Sequence, residues 1–299
     1  MHIPASMLQG SVCPVTLAVS AAGVGVAGVM AKKSQEKPSG FRFAAVTALI
    51  FALQMLNFPV QHGTSGHLVG GLLAVSLLGV PFAVLSMAIV LLVQAVFFGD
   101  GGINALGANI LNMSLIGAGL LGVVYLKLQE KGLNRNIALA SAAFVSVLAA
   151  ATACSFEVAL AGSVALDKVL PAMLGVHVLI GLGEALLTVA VVTALNTYGR
   201  LRQHEPSVFS GALVLAVFAA LLSPLASGFP DGLEWVAEKL SFIQYHAFEM
   251  PALFPDYQAV FIGHEGLSTI FAGIAGVALV YGFAFFVTKL LAATRPARA

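Results

Sequence analysis

The sequence predicts an all-α membrane protein of about nine transmembrane helices, and three observations carry that expectation. Of 299 residues, 59% are hydrophobic and only 9% are charged, so most of the chain finds an apolar environment only in lipid or in a helical bundle within lipid. Apolar runs long enough to cross a bilayer recur along the whole sequence. Lysines and arginines collect on one side of the loops that those runs imply. A soluble globule is excluded, and a formal net charge of +1 offers no field that would attract nucleic acid.

The first run, 11–31, is rich in glycine and alanine, which suits close helix packing in a membrane. No basic residue precedes it, and Lys32 and Lys33 follow it. That order is the reverse of a signal peptide and predicts a retained span with the N-terminus outside. Further spans are expected at 41–57, 105–127, 135–156, 169–197, 208–224 and 267–290. The stretch 67–98 is some 30 residues long and interrupted by Gly79-Val80-Pro81, where proline breaks helical hydrogen bonding and turns Val80 away from helix.

Basic residues decide how often 67–98 crosses, because Lys and Arg in short loops are retained on the cytoplasmic side. With two crossings, Lys32, Lys33, Lys37, Arg42, Lys127, Lys131, Arg135, Arg200, Arg202, Lys289, Arg295 and Arg298 share one face, and only Lys168 and Lys239 oppose them. With one crossing, the split is six against eight and carries no bias. Nine crossings follow, with the C-terminus inside. The two halves of 67–98 are then short helices, roughly 20 to 27 Å each at 1.5 Å per residue, packed inside the bundle.

The opening Met1-His2-Ile3-Pro4 is chemically unusual for a chain whose start lies outside the membrane. A free α-amine, the His2 backbone nitrogen and the His2 ring Nδ1 can bind one metal through fused chelate rings. Those three nitrogens are nearly coplanar. One added imidazole makes a square of four nitrogens, which suits Ni(II) and Cu(II) and is poor for tetrahedral zinc. The loop 57–67 offers His67, where the third span begins, and His62, earlier in the loop; Gly63 and Gly66 permit the turn that aims His67 inward. A histidine at a membrane boundary also serves as a polar anchor.

Asn57, His62, Thr64 and Ser65 around that loop, with Asn104 and Asn109 at the outer end of the fifth span, are expected to support the ligands or line the ion's path. Asn112 belongs with them, and ordinary interhelical contacts explain all three asparagines as well. His177 and Glu184 lie two helical turns apart on one face of the seventh span, as an internal polar pair or as a device for coupling or metal passage. Residues 225–266 form the only long polar loop, expected outside. Its Asp231-Gly232-Leu233-Glu234 matches a capping box, opening a short helix through Trp235, Val236 and Leu240 that could lie on the membrane surface. His246 and His264 are solvated residues or transient ligands. Cys13 and Cys154 sit in apolar stretches and give a disulfide framework or thiolate site nothing to build on.

These residues resemble the CbiM/NikM substrate-binding components of energy-coupling-factor (ECF) transporters for cobalt and nickel. The resemblance rests on Met1-His2-Ile3-Pro4, on the run from Gly63-Thr64-Ser65-Gly66-His67 to Gly71, on the run from Gly99-Asp100-Gly101-Gly102 to Asn109, and on His177 to Glu184. It covers residues 1–200 as a metal-binding transmembrane domain. Residues 201–299 resemble the small NikN-type partner, two spans whose loop, about 225–266, carries Pro230-Asp231-Gly232-Leu233-Glu234. Ala5-Ser6 departs from the Asp-Gly that follows the opening proline in many relatives. The resemblance implies a seven-span metal-binding unit with Met1, His2 and His67 as ligands and Ni(II) or Co(II) as bound substrate, nickel first. It also implies a transmembrane coupling subunit and two cytoplasmic ATPase subunits as partners, and a multi-pass place in the cell membrane.

No Gly-x-x-x-x-Gly-Lys-Ser/Thr sequence is present, so energy is expected from a partner or an ion gradient, and the chain is not expected to be an enzyme. The alternative is a stand-alone secondary transporter of a divalent metal or small molecule. It asks for ionisable residues deep in several spans, and few besides Glu184 and His177 occur. A membrane enzyme with a metal or haem would ask for paired histidines in different spans, which His177 alone does not supply.

Overall fold

Serine and asparagine start two of the helices where the hydropathy pattern places them. Ser39 accepts the Arg42 amide at the head of α2 (Gly40–Gln54), and Asn134 accepts the amides of Asn136 and Ile137 at the head of α7 (Arg135–Leu160). The computed structural model describes residues 2–202, 205–242 and 251–293. Around α2 and α7 stand α1 (Val12–Lys33), α8 (Leu166–Arg202), α9 (Glu205–Leu222) and α11 (Glu265–Ala293). Among the described residues, six helices are long and apolar enough to cross a membrane, and two shorter apolar helices, Gly40–Gln54 and Phe209–Leu225, join them. Val15, Val19, Val26, Val29 and Met30 stand exposed on α1, an apolar face of the kind lipid covers.

Small residues and hydroxyls bring the helices close. α5 (Gly102–Asn109) runs through a π-helical stretch, Ile110–Leu120, into α6 (Leu121–Glu130). The Ser20 hydroxyl of α1 donates to the Gly107 carbonyl of α5 at 2.6 Å, and a side chain at Gly107 would collide with the backbone of Leu17. Ser114 likewise donates to the Val84 carbonyl at 2.9 Å.

The stretch 67–98 departs from expectation. Its first half is not a helix of some 20 Å. Residues 58–70 are extended or turned, with β1 (Phe58–Pro59) paired antiparallel to β2 (Ser65–Gly66), and only the eight residues of α3 (Gly71–Leu78) are helical, about 12 Å at 1.5 Å per residue. Gly70, at φ 83°, and the glycine-rich motif before it keep the chain out of the helix. Irregular backbone within a bundle persists only where protein satisfies its polar groups. Gln54 donates to the Val69 carbonyl at 2.7 Å, and the Glu184 carboxylate accepts the Val69 and Gly70 amides at 2.6 and 3.0 Å. At Gly79, φ 79°, the chain turns into α4 (Val80–Val93), with Pro81 in the first turn where its missing N–H costs nothing, and a π-helix carries it on to Phe98.

The two ends of the bundle differ in chemistry. Arg42 donates to the Leu77 carbonyl at the foot of α3, and Arg135 reaches Ser76 at 3.4 Å. His2, His67 and Asp100 gather at the opposite end. There α10 (Gly232–Lys239) lies with Leu233, Val236 and Ala237 fully buried, packed on α8 rather than lying on a membrane surface. Both hydrogen bonds of its capping box, Asp231 to Glu234, are formed.

Candidate metal centre

The N-terminal segment enters the bundle because Asn109 grips it. The Asn109 side chain accepts the Ile3 amide at 2.8 Å and donates to the Ile3 carbonyl at 3.2 Å, and Ile3 is fully buried. Gly101, φ 81°, sits where a side chain would strike Asn109. Asn109 ends α5 at the π-helical stretch, and Gln94 opens the other π-helix. Both polar side chains that hold the segment therefore sit at transitions from α- to π-helix, where such bulges often mark functional sites.

The grip brings His2 against His67. Their rings stack with centroids 5.1 Å apart at 18°, and both residues are buried. His67 Nδ1 lies 3.0 Å from the Leu68 carbonyl, which can only accept, so Nδ1 carries the proton and Nε2 keeps the lone pair. His2 Nε2 lies 3.1 Å from Gln94 Oε1, and His2 Nδ1 lies 3.3 Å from Asp100 Oδ1. Burial lowers the His2 ring below the ordinary histidine value, against the pull of Asp100, so a neutral ring with a donor lone pair is the resting state.

A cavity of about 310 Å³ opens beside the two rings, lined also by Asp100, Asp231, Glu234 and Tyr257. The C-terminal part of the chain closes it. The Ser65 amide donates to the Pro230 carbonyl at 2.8 Å, the Ser65 hydroxyl to Phe229 at 2.7 Å and the Thr64 hydroxyl to Pro230 at 3.1 Å. The Asn57 carbonyl accepts the Ser227 amide at 2.8 Å, and Phe254 donates its amide to Phe97 at 2.8 Å.

The structure thus unites His2 and His67, adds Asn109, and places Thr64, Ser65 and Asn57 on the seam with residues 227–231. Asn57 also lines the cavity. Asn104 is exposed and lines a second cavity with Pro4 and Ala5 rather than the one beside the two rings, and Asn112 instead donates to Glu157 at 2.6 Å. Glu184 holds the backbone just beyond His67. His177, fully buried on α8 with Nδ1 2.8 Å from the Met173 carbonyl, lies beneath Gly232. Met1 lies outside the described residues, as do the His62 side chain and His246. His264 is exposed, its Nδ1 accepting the Leu267 amide at 3.4 Å.

Sequence reasoning missed Gln94 and Asp100 as neighbours of His2, and Tyr257 as the partner of both. A glutamine in the apolar run Val93–Phe97, and an aspartate opening the Gly-rich turn at 99–102, were available signals; nothing local marks Tyr257.

Comparison with known proteins finds matches to both parts of the chain. A family model described as the cobalt uptake substrate-specific transmembrane region, CbiM, matches residues 2–202, and one for the PDGLE domain matches residues 207–293. The chain is 35% identical to a putative fused nickel transport protein NikMN of Archaeoglobus fulgidus, over 97% of this chain and 98% of that one. It is 33% identical to a probable fused nickel transport protein LarMN of Lactiplantibacillus plantarum, over 86% and 88%. A crystal structure of a truncated transition metal transporter superposes with a TM-score of 0.59 at 32% identity, covering 69% of this chain and all of that one.

Proposed function

Because the chain belongs to the CbiM family of cobalt uptake transmembrane regions, here fused to a PDGLE domain, we propose that it is the metal-capturing membrane component of an ATP-driven ECF-type importer. Its substrate is nickel, with cobalt second. The ion is bound by the Met1 amine, the His2 amide nitrogen and Nδ1, and His67 Nε2. The observation that carries this reading is the stacking of the His2 and His67 rings, delivered from two separate segments, with a carbonyl partner on the non-ligating nitrogen of each. Four nitrogens favour Ni(II), and two relatives, 35% and 33% identical to this chain, are described as a putative and a probable fused nickel transport protein.

The membrane arrangement follows from the same reading. The chain crosses nine times, with 58–78 as a passage of extended backbone and short helix; residues 1–200 and 201–299 act as two units. The metal centre faces outside, and the end carrying Arg42 and Arg135 faces the cytoplasm, where a coupling subunit and two ATPase subunits supply the energy. A stand-alone carrier driven by protons is less well supported, because both oxygens of the Glu184 carboxylate already accept backbone amides.

Uptake of labelled nickel and cobalt into cells with and without the ATPase partners tests the reading. Uptake that needs the partners, prefers nickel and disappears with His2→Ala or His67→Ala is expected. Full uptake without the partners removes the ECF assignment, and full uptake by His2→Ala removes the site.

A further inference from the structure

The C-terminal PDGLE domain brings Asp231, Glu234 and Tyr257 to the metal centre, and of these Tyr257 holds a position that is costly to maintain. Asp256 and Tyr257 both adopt left-handed backbone conformations, φ 50° and 58°, which residues with a Cβ avoid unless their surroundings enforce them. The enforcement is visible. The Tyr257 ring stacks on Phe98 at 4.9 Å and 28°, beside Phe51 at 6.2 Å. Its hydroxyl donates to Asp100 Oδ2 at 2.6 Å and accepts from Gln94 Nε2 at 3.0 Å.

Those two bonds have a consequence for His2. Asp100 takes the single phenolic proton, so the phenol oxygen can only accept from Gln94, and the Gln94 amide must present its nitrogen to Tyr257. Its oxygen then faces His2 Nε2 at 3.1 Å. An amide oxygen cannot donate, so Nε2 carries the proton and Nδ1 keeps the lone pair. Left to itself, Asp100 would favour the opposite tautomer, because its Oδ1 stands 3.3 Å from Nδ1 and would welcome a proton there. The nitrogen that closes a chelate ring with its own backbone is Nδ1. The amide of Gln94, once turned over, would offer a donor to Nε2 and release the wrong tautomer.

We infer that Tyr257 is a positioning residue that sets which ring nitrogen of His2 is offered to the metal, acting through the orientation of Gln94. The inference rests on the reading of His2 as a chelating ligand. It makes the PDGLE domain part of the donor set's preparation, beyond covering the site.

The test uses the full chain, with histidine ring nitrogens labelled by ¹⁵N, in wild-type, Tyr257→Phe, Tyr257→Phe/Gln94→Glu and His2→Ala forms. Phenylalanine keeps the stacking on Phe98 and removes only the hydroxyl. The metal-free Tyr257→Phe protein is expected to move His2 toward the Nδ1-protonated tautomer and to lose nickel affinity by roughly tenfold or more, the range for partners that orient metal ligands. Gln94→Glu in that background presents an acceptor oxygen however it is turned, and is expected to restore both the Nε2-protonated tautomer and most of the affinity. An unchanged His2 tautomer in Tyr257→Phe overturns the inference, as does failure of Gln94→Glu to restore it. If His2→Ala binds nickel like the wild type, the chelate reading itself falls, and this outcome is separate from the other two.

Discussion

Asn109 binds Ile3 twice, taking its amide and giving to its carbonyl, so that one side chain replaces the strand partner the N-terminal segment lacks. That pairing sets the depth at which His2 enters the bundle. Asn109→Ala leaves a fully buried amide without an acceptor, at a cost of about 1–3 kcal/mol. Thermal unfolding should shift accordingly, and nickel affinity measured by competition with a chelating dye should fall. Unaltered affinity would mean that His2 finds its place without this grip.

Gly101→Ala tests the same grip from behind. The position has φ 81°, and an added Cβ would approach Asn109 Nδ2 to 2.5 Å. The left-handed conformation alone costs roughly 1–2 kcal/mol for a residue with a side chain. The expected outcome is a loss of nickel binding as large as that of Asn109→Ala, and much less than the sum of the two losses in the double variant. Additive losses would show the two residues acting separately.

Metal binding should release protons in a number that reports the ligand set. Burial lowers the His2 pKa, so near neutral pH that ring has no proton to give up. The amine, ordinarily near 7.7–8.0, and the His2 amide do have protons, giving about two released per nickel. Affinity should therefore rise about a hundredfold per pH unit while the amine is still protonated, ease to about tenfold per unit above the amine's range, where only the amide loses a proton, and show no further break across the ordinary histidine range. Calorimetry in buffers of different ionisation enthalpy counts the protons; a value near zero rules out the amine and amide. Lengthening the N-terminus by one residue should abolish binding by the same logic.

Glu184→Leu leaves the Val69 and Gly70 amides, now bonded at 2.6 and 3.0 Å, without acceptors inside the bundle. A loss of about 1–3 kcal/mol per amide is expected. Glu184→Gln keeps one acceptor oxygen and should fall midway in a detergent melt. Equal melting temperatures for all three proteins would show that the passage after Gly66 is held by other means.

Asp231 combines a cap with a charge beside the cavity, and two substitutions separate them. Asp231→Asn preserves a good cap, whereas Asp231→Ala removes it at a cost of about 0.5–2 kcal/mol. The alanine variant alone should loosen α10, seen as faster amide exchange at Leu233 and Glu234. Equal exchange in both variants would place the stabilisation elsewhere.

Hydropathy locates the long helices to within a few residues, because a bilayer-length apolar run has few other uses. It misjudges the descent through residues 58–70, where Gln54, Glu184 and Pro230 satisfy the backbone from distant parts of the chain. Burial of Leu233, Val236 and Ala237 on α8 is hidden for the same reason, since an amphipathic octet reads alike against lipid or protein. The meeting of His2 with His67 is legible because an opening Met-His asks for one further imidazole from a loop on the same side. Tyr257 is not, because its two partners lie 163 and 157 positions away and no motif surrounds it.

Joining both domains in one polypeptide changes what the Ser65–Pro230 seam must do. Two free proteins would need enough interface to overcome dilution, and a tight seam would then resist opening. Tethered partners meet at an effective concentration that reaches the millimolar range for short flexible linkers. A few backbone bonds at the seam suffice under those conditions, since α9 and α11 also pack on α2 and keep the two halves together.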